Sequence, residues 1–162
     1  MTEDILIQLI RNNEIDNALK LIEDLGNNKD SSAAPFLIEL LTTTEDHLIR
    51  NKTAIALSDL GCEEAVEPIF KLLKDPKTLG YRGSLLYALE PLNYLGHEGI
   101  LFDFIITGNF EVSRHSFQLL EMVKDKISPE LKQEYKCKMN EIIDELEDKI
   151  EFLKEAIDDI EM

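Results

Sequence analysis

Apolar residues recur at helical spacing along most of the chain, and between Asp46 and Asp75 they form two linked stripes. Ile49, Thr53, Ala56, Leu57 and Leu60 fall on one helical face that ends at Gly61, a residue suited to the left-handed C-terminal position of a helix. Ala65, Val66, Ile69, Leu72 and Leu73 form the second face, behind the acids Glu63 and Glu64, which suit a helix N-terminus. Neither helix can bury its stripe alone. A shift of 32 residues places Arg50 on Arg82 and then Arg114, Ala56-Leu57 on Ala88-Leu89, and Pro68-Ile69-Phe70 on Ile100-Leu101-Phe102. A period of this size in helix pairs predicts a solenoid, here an all-α, right-handed stack with no strand.

The flanking segments extend the pattern. Ile5, Leu6, Leu9 and Ile10 predict a first helix from a Thr2 cap to Asn12-Asn13. Ile15, Ala18, Leu19, Ile22 and Leu25 predict a second, closed by Gly26. Asn27 to Ser32 reads as a loop and a moving tip, and Ser32 as the cap of a helix through Leu41 with Phe36, Leu37, Leu40 and Leu41 on its apolar side. After an Asp75-Pro76 turn, a helix is expected from Thr78 to Leu92, ended by Pro91. Glu98 to Ile106, apolar nearly all round, reads as the most buried helix. Phe110 to Val123 carries Val112, Phe117, Leu119, Leu120 and Val123.

Ser128-Pro129-Glu130 is a strong helix start, and neither glycine nor proline follows it. The predicted organisation is a repeat body over residues 1–125 and one long helix over residues 128–162. Met139, Ile143, Leu146, Ile150, Leu153, Ile157 and Ile160 alternate spacings of four and three, a short coiled-coil seam. That seam either folds back to cap the body or pairs with a second copy.

Asp46, Ile49-Arg50, Ala54, Ala56-Leu57, Leu60-Gly61, Ala65 to Ile69, Leu72-Leu73 and Asp75 together resemble the short bacterial HEAT repeat, the type also called phycobilisome-lyase-like. The resemblance is strong over this unit and weaker from the N-terminus to about Val123. It implies that the repeated arginines Arg50, Arg82 and Arg114 serve contacts between neighbouring repeats. Thr78 stands where Asp46 would repeat and Glu121 where Leu89 would, so the last unit departs from the pattern.

Composition narrows the functional classes. The net charge is −16, with 17 basic against 33 acidic residues, which disfavours nucleic acid and anionic membranes and attracts a basic partner. Cys62 and Cys137 lack metal-ligand or CxxC spacing and read as reduced thiols. His47, His97 and His115 share no face, so no metal or other cofactor is expected. No nucleophile–base pair, paired carboxylate or phosphate loop stands out, and no catalytic residue is assigned. An acidic N-terminus and the lack of a long apolar run favour the cytoplasm over secretion or membrane insertion.

The sequence therefore reads as a non-enzymatic protein-binding module whose inner face is built by the second helix of each pair. The candidate partner-binding residues are Glu63, Glu64, Glu67, Phe70, Lys71, Phe102 and Asp103, with the phenylalanines presenting exposed edges. The size and acidity resemble those of immunity proteins that bind and neutralise a toxin domain. A scaffold or assembly adaptor is the alternative, and a chromophore lyase or HEAT-like DNA glycosylase a remote one.

Overall fold

A computed structural model describes residues 2–161. Nine α-helices follow one another, with no strand among the described residues: α1 (Thr2–Arg11), α2 (Ile15–Asn27), α3 (Ala34–Thr43), α4 (His47–Asp59), α5 (Val66–Lys74), α6 (Gly83–Leu89), α7 (Glu98–Thr107), α8 (Phe110–Met122) and α9 (Pro129–Glu161). The even-numbered helices α2, α4, α6 and α8 pack side by side in one layer, and α3, α5 and α7 back onto them from the other. The result is an all-α solenoid with a long terminal helix.

The core runs as a continuous seam between the layers, from Leu6 through Ile22, Leu37, Leu57, Ile69 and Leu86 to Leu101 and Leu120. Its centre is α4, where Ile49, Arg50, Thr53, Ala54, Ala56, Leu57 and Ser58 are all buried. Helix α7, by contrast, buries only Leu101 and Phe104. The expectation that α7 is the most buried helix is therefore wrong. An apolar surface on all sides needs neighbours on all sides, and α7 packs mainly along α8, with the start of α9 on another side.

The repeat is visible as recurring side-chain roles. Leu57, Leu89 and Leu120 occupy equivalent buried sites, so the interval is 32 residues and then 31. The shortened last interval puts Asn109 in the place of Asp46. Asp46 accepts from the N–H groups of Leu48 and Ile49 at 2.8 and 3.0 Å, and Asn109 accepts from Val112 at 2.9 Å. Thr53 and Ser116, both fully buried, are likewise 63 residues apart. The uniform shift of 32 misaligns this unit by one residue, which explains why Arg114 is exposed and not at a site equivalent to Arg50 and Arg82.

Arg50 is 2 % exposed and donates to the carbonyls of Thr44 and Glu45 at 3.0 and 3.2 Å, tying α4 to the preceding turn. Arg82 reaches the Asp75 carbonyl and Thr78 Oγ1 in the same manner and lies over the Phe104 ring. In the last unit, the position equivalent to Arg50 is Ser113, whose hydroxyl donates to the carbonyls of Phe104 and Gly108. The role implied by the family resemblance therefore holds for Arg50 and Arg82.

Local chemistry moves several predicted boundaries. Gly26 is the last residue but one of α2 and keeps helical backbone, so it does not close the helix. A Cβ there would come within 2.9 Å of the Ala56 Cα, so the glycine permits α2 and α4 to touch backbone to backbone. The left-handed residue that releases the chain is Lys29, at φ 53°. Asp30, not Ser32, caps the next segment, a 3₁₀ turn over Ser31–Ala33 that runs into α3. Helix α6 is shorter than predicted because Pro76–Thr78 forms its own 3₁₀ turn, capped by Asp75, and Thr78 is buried under it. Gly61 takes φ 66° as expected.

Ser128 accepts from the Leu131 N–H at 3.2 Å and Pro129 occupies the first helical position of α9. The first turns of this helix dock on α7. Tyr135 is 5 % exposed, and its hydroxyl contacts the Gly99 carbonyl at 2.9 Å and Asp103 Oδ1 at 2.8 Å, while its ring stacks on Phe102 at 4.5 Å. Beyond Ile142 the helix leaves the body, and every seam residue from Ile143 onward is exposed.

Candidate interaction surface

The predicted acidic residues lie together at the start of α5. Glu63 and Glu64 stand on the 3₁₀ turn over Glu63–Ala65, Glu67 in the first turn of α5, and Lys71 one turn further; all four are exposed. The placement follows from the local sequence, since carboxylates in an opening turn face the unpaired N–H groups of the helix. Each acid also has a partner within the chain. Glu63 accepts from the Asn93 N–H at 2.8 Å, across the repeat boundary, and Glu67 meets His97 Nε2 at 3.1 Å. Glu64 accepts from the Cys62 thiol at 3.4 Å. Its carboxyl is pulled below the usual range by its own backbone N–H and then by that thiol, while burial and then Glu64 push the Cys62 thiol upward.

The two phenylalanines do not present free edges. Phe70 is 1 % exposed, and His97 stacks on it at 4.1 Å between centroids, so it belongs to the core. Phe102 is half-buried beneath Tyr135, and Asp103 is held by the Tyr135 hydroxyl. Both are engaged by α9. The structure thus brings Glu63, Glu64, Glu67 and Lys71 together and removes Phe70 from the surface. The reason is helical spacing: Phe70 lies four residues after the buried Val66 in α5, on the same inward side, and His97, at the N-cap of α7, closes over it.

Tyr81 stacks on His47 at 4.0 Å and Tyr87 is 53 % exposed, whereas Tyr94 is buried and its hydroxyl donates to the Leu119 carbonyl at 2.8 Å. Burial, then the nearby Glu90 and Glu98, hold the Tyr94 hydroxyl above its ordinary pKa.

A second feature was not foreseen. Where α9 diverges from the body, Phe102, Ile105, Phe117, Leu120, Ile127 and Met139 line an open apolar groove of about 350 Å³. Phe117 is 51 % exposed at its rim, although it shares α8 with the buried Val112, Leu119 and Leu120. The one-residue slip of the last repeat is the cause, because it buries Ser116 and turns the next residue outward.

Among the described residues, no group of three or more His, Cys, Asp or Glu is placed to hold a metal ion, and no helix is long and apolar enough to cross a membrane. Helix pairs stacked at a 31–32-residue interval, with inter-repeat arginine ties and a one-dimensional core, define a helical-repeat protein. The chain belongs to the HEAT repeat family, whose model matches residues 3–90. That family is mostly non-catalytic and commonly mediates protein–protein interaction or scaffolding. No curated protein and no solved structure gives a significant match to the chain.

Proposed function

We propose that this chain is a non-catalytic scaffold or assembly adaptor that holds a basic protein partner on the exposed edge of α5 through Glu63, Glu64, Glu67 and Lys71. The observation that carries the reading is the membership of residues 3–90 in a family of interaction repeats. The net charge of −16 supports a basic partner, because an acidic surface steers such a partner by long-range attraction. The working division is a repeat body over residues 1–125 and a separate helix over residues 128–162. The cytoplasm is the compartment that suits two unpaired cysteines.

The test is quantitative capture from the native cell by the full chain and by a variant with all three glutamates replaced by glutamine. The expected result is one discrete basic partner whose association slows in the variant and loses salt dependence, with the melting temperature little changed. Equal capture by both forms contradicts the assignment of the site. A second reading rests on acidity alone: an immunity protein that covers a basic toxin domain. A toxin gene beside this one, whose product binds the chain, distinguishes it from the scaffold.

A further inference from the structure

The far part of α9 carries a face that the body does not cover. Ile143, Leu146, Ile150, Leu153, Ile157 and Ile160 are between 49 and 84 % exposed, yet they follow one another at spacings of three and four. Residues 143–160 span about 26 Å at the α-helical rise. Docking onto α7 ends at Tyr135 and Met139, so folding back does not account for this stripe. Met139, at the head of the predicted seam, is half-buried against the groove and belongs to the docked part.

We propose that the occupant of this face is the same helix of a second copy, in an antiparallel coiled coil centred between Glu151 and Phe152. With Ile143, Ile150 and Ile157 at the a positions, Leu146, Leu153 and Ile160 take d. In an antiparallel pair each a residue meets a d residue of the other helix. One register matches Ile143 with Ile160, Leu146 with Ile157 and Ile150 with Leu153, and two-fold symmetry repeats each layer. All six residues of both chains are then covered, in line with the requirement that a two-fold patch complement itself.

The flanking charges select the same register. Position e is occupied by Glu147 and Lys154, and e faces e across an antiparallel pair. In the centred register Glu147 of each chain approaches Lys154 of the other, giving two attractive contacts. Sliding by one heptad in either direction sets Glu147 against Glu147 or Lys154 against Lys154. A parallel pair fails for a related reason: Lys149 at g would face Lys154 at e of the other chain. Nine acids against two lysines over residues 141–160 add repulsion. Apart from Glu147, those acids lie at b, c and f, away from the seam, where salt at about 0.15 M screens them over roughly 8 Å.

The test is sedimentation velocity on the full chain over a concentration series at that salt. The wild type should form a reversible dimer. Lys154→Glu should weaken it on the order of tenfold by setting like charges at both e contacts. The charge swap Glu147→Lys with Lys154→Glu should restore it at unchanged net charge. Ile150→Asp, on the exposed part of the helix, should give a monomer whose body melts as before. A monomer at every concentration overturns the proposal. So does a dimer that survives Ile150→Asp, which would place the interface elsewhere. A tighter dimer with Lys154→Glu would establish the parallel arrangement, because the introduced carboxylate would then meet Lys149 of the other chain, and would overturn the antiparallel one.

Discussion

Single residues carry unequal shares of this fold, and the buried centre of α4 carries the most. Leu57 is fully buried between the layers. Leu57→Ala should therefore lower stability by about 2 to 5 kcal/mol in a denaturant melt, from lost transfer energy and the cavity left behind; a loss under about 0.5 kcal/mol would show that the site is not enclosed. Gly26→Ala should also destabilise, although alanine is the better helix former. Its methyl would press on the Ala56 backbone, which cannot yield as a side-chain tip could. We expect a loss of about 1 to 3 kcal/mol, measured in the same melt. Stability gained through helix propensity would contradict the close α2–α4 contact. The stripe containing Leu57 was legible because its spacing repeats. The role of Gly26 was not, since a glycine after a leucine-rich stripe reads as a terminator until its spatial neighbour is known. Phe70 was misread as an exposed edge for a similar reason: the stacking residue that covers it, His97, lies 27 positions away in the chain.

At the scale of elements, the helix pairs and the start of α9 were legible from stripes, caps and the Ser128-Pro129 signal, whereas the starts of α3 and α6 depended on preceding 3₁₀ turns capped by Asp30 and Asp75. The last repeat was shifted by one residue because side-chain capping by Asn109, invisible to a fixed period of 32, resets the helix start. The attachment of α9 rests on Tyr135. Its hydroxyl is held above its ordinary pKa by burial first and then by the bond to Asp103. The folded form therefore favours the neutral phenol, and this contribution is complete below about pH 10, the unfolded tyrosine value. It should fade as the pH rises through the higher folded value. Tyr94 shifts in the same direction and adds to the loss. Protection against hydrogen exchange in the first turns of α9, taken relative to the base-catalysed intrinsic rate, should fall on alkaline titration. Tyr135→Phe should accelerate exchange there already at neutral pH, because Gly99 and Asp103 lose their shared donor. Unchanged protection in both cases would mean that stacking on Phe102 alone holds the helix.

Across the whole molecule, a one-dimensional stack leaves long surfaces available without opening its core, and the acidity gives those surfaces a common sign. Architecture and charge could be read from the sequence. The apolar groove could not, because it forms where α9 leaves the two helices before it, α7 and α8, and the angle of that departure is not written in any stripe. The central claim is that the body works by holding a protein on the α5 edge. Its most direct test is photo-crosslinking in the native cell from a reactive residue at Lys71, with the same residue at the exposed Lys20 of α2 as control. One discrete protein adduct from position 71 and none from position 20 is the predicted result; the same adducts from both positions, or no discrete adduct from either, would contradict the account.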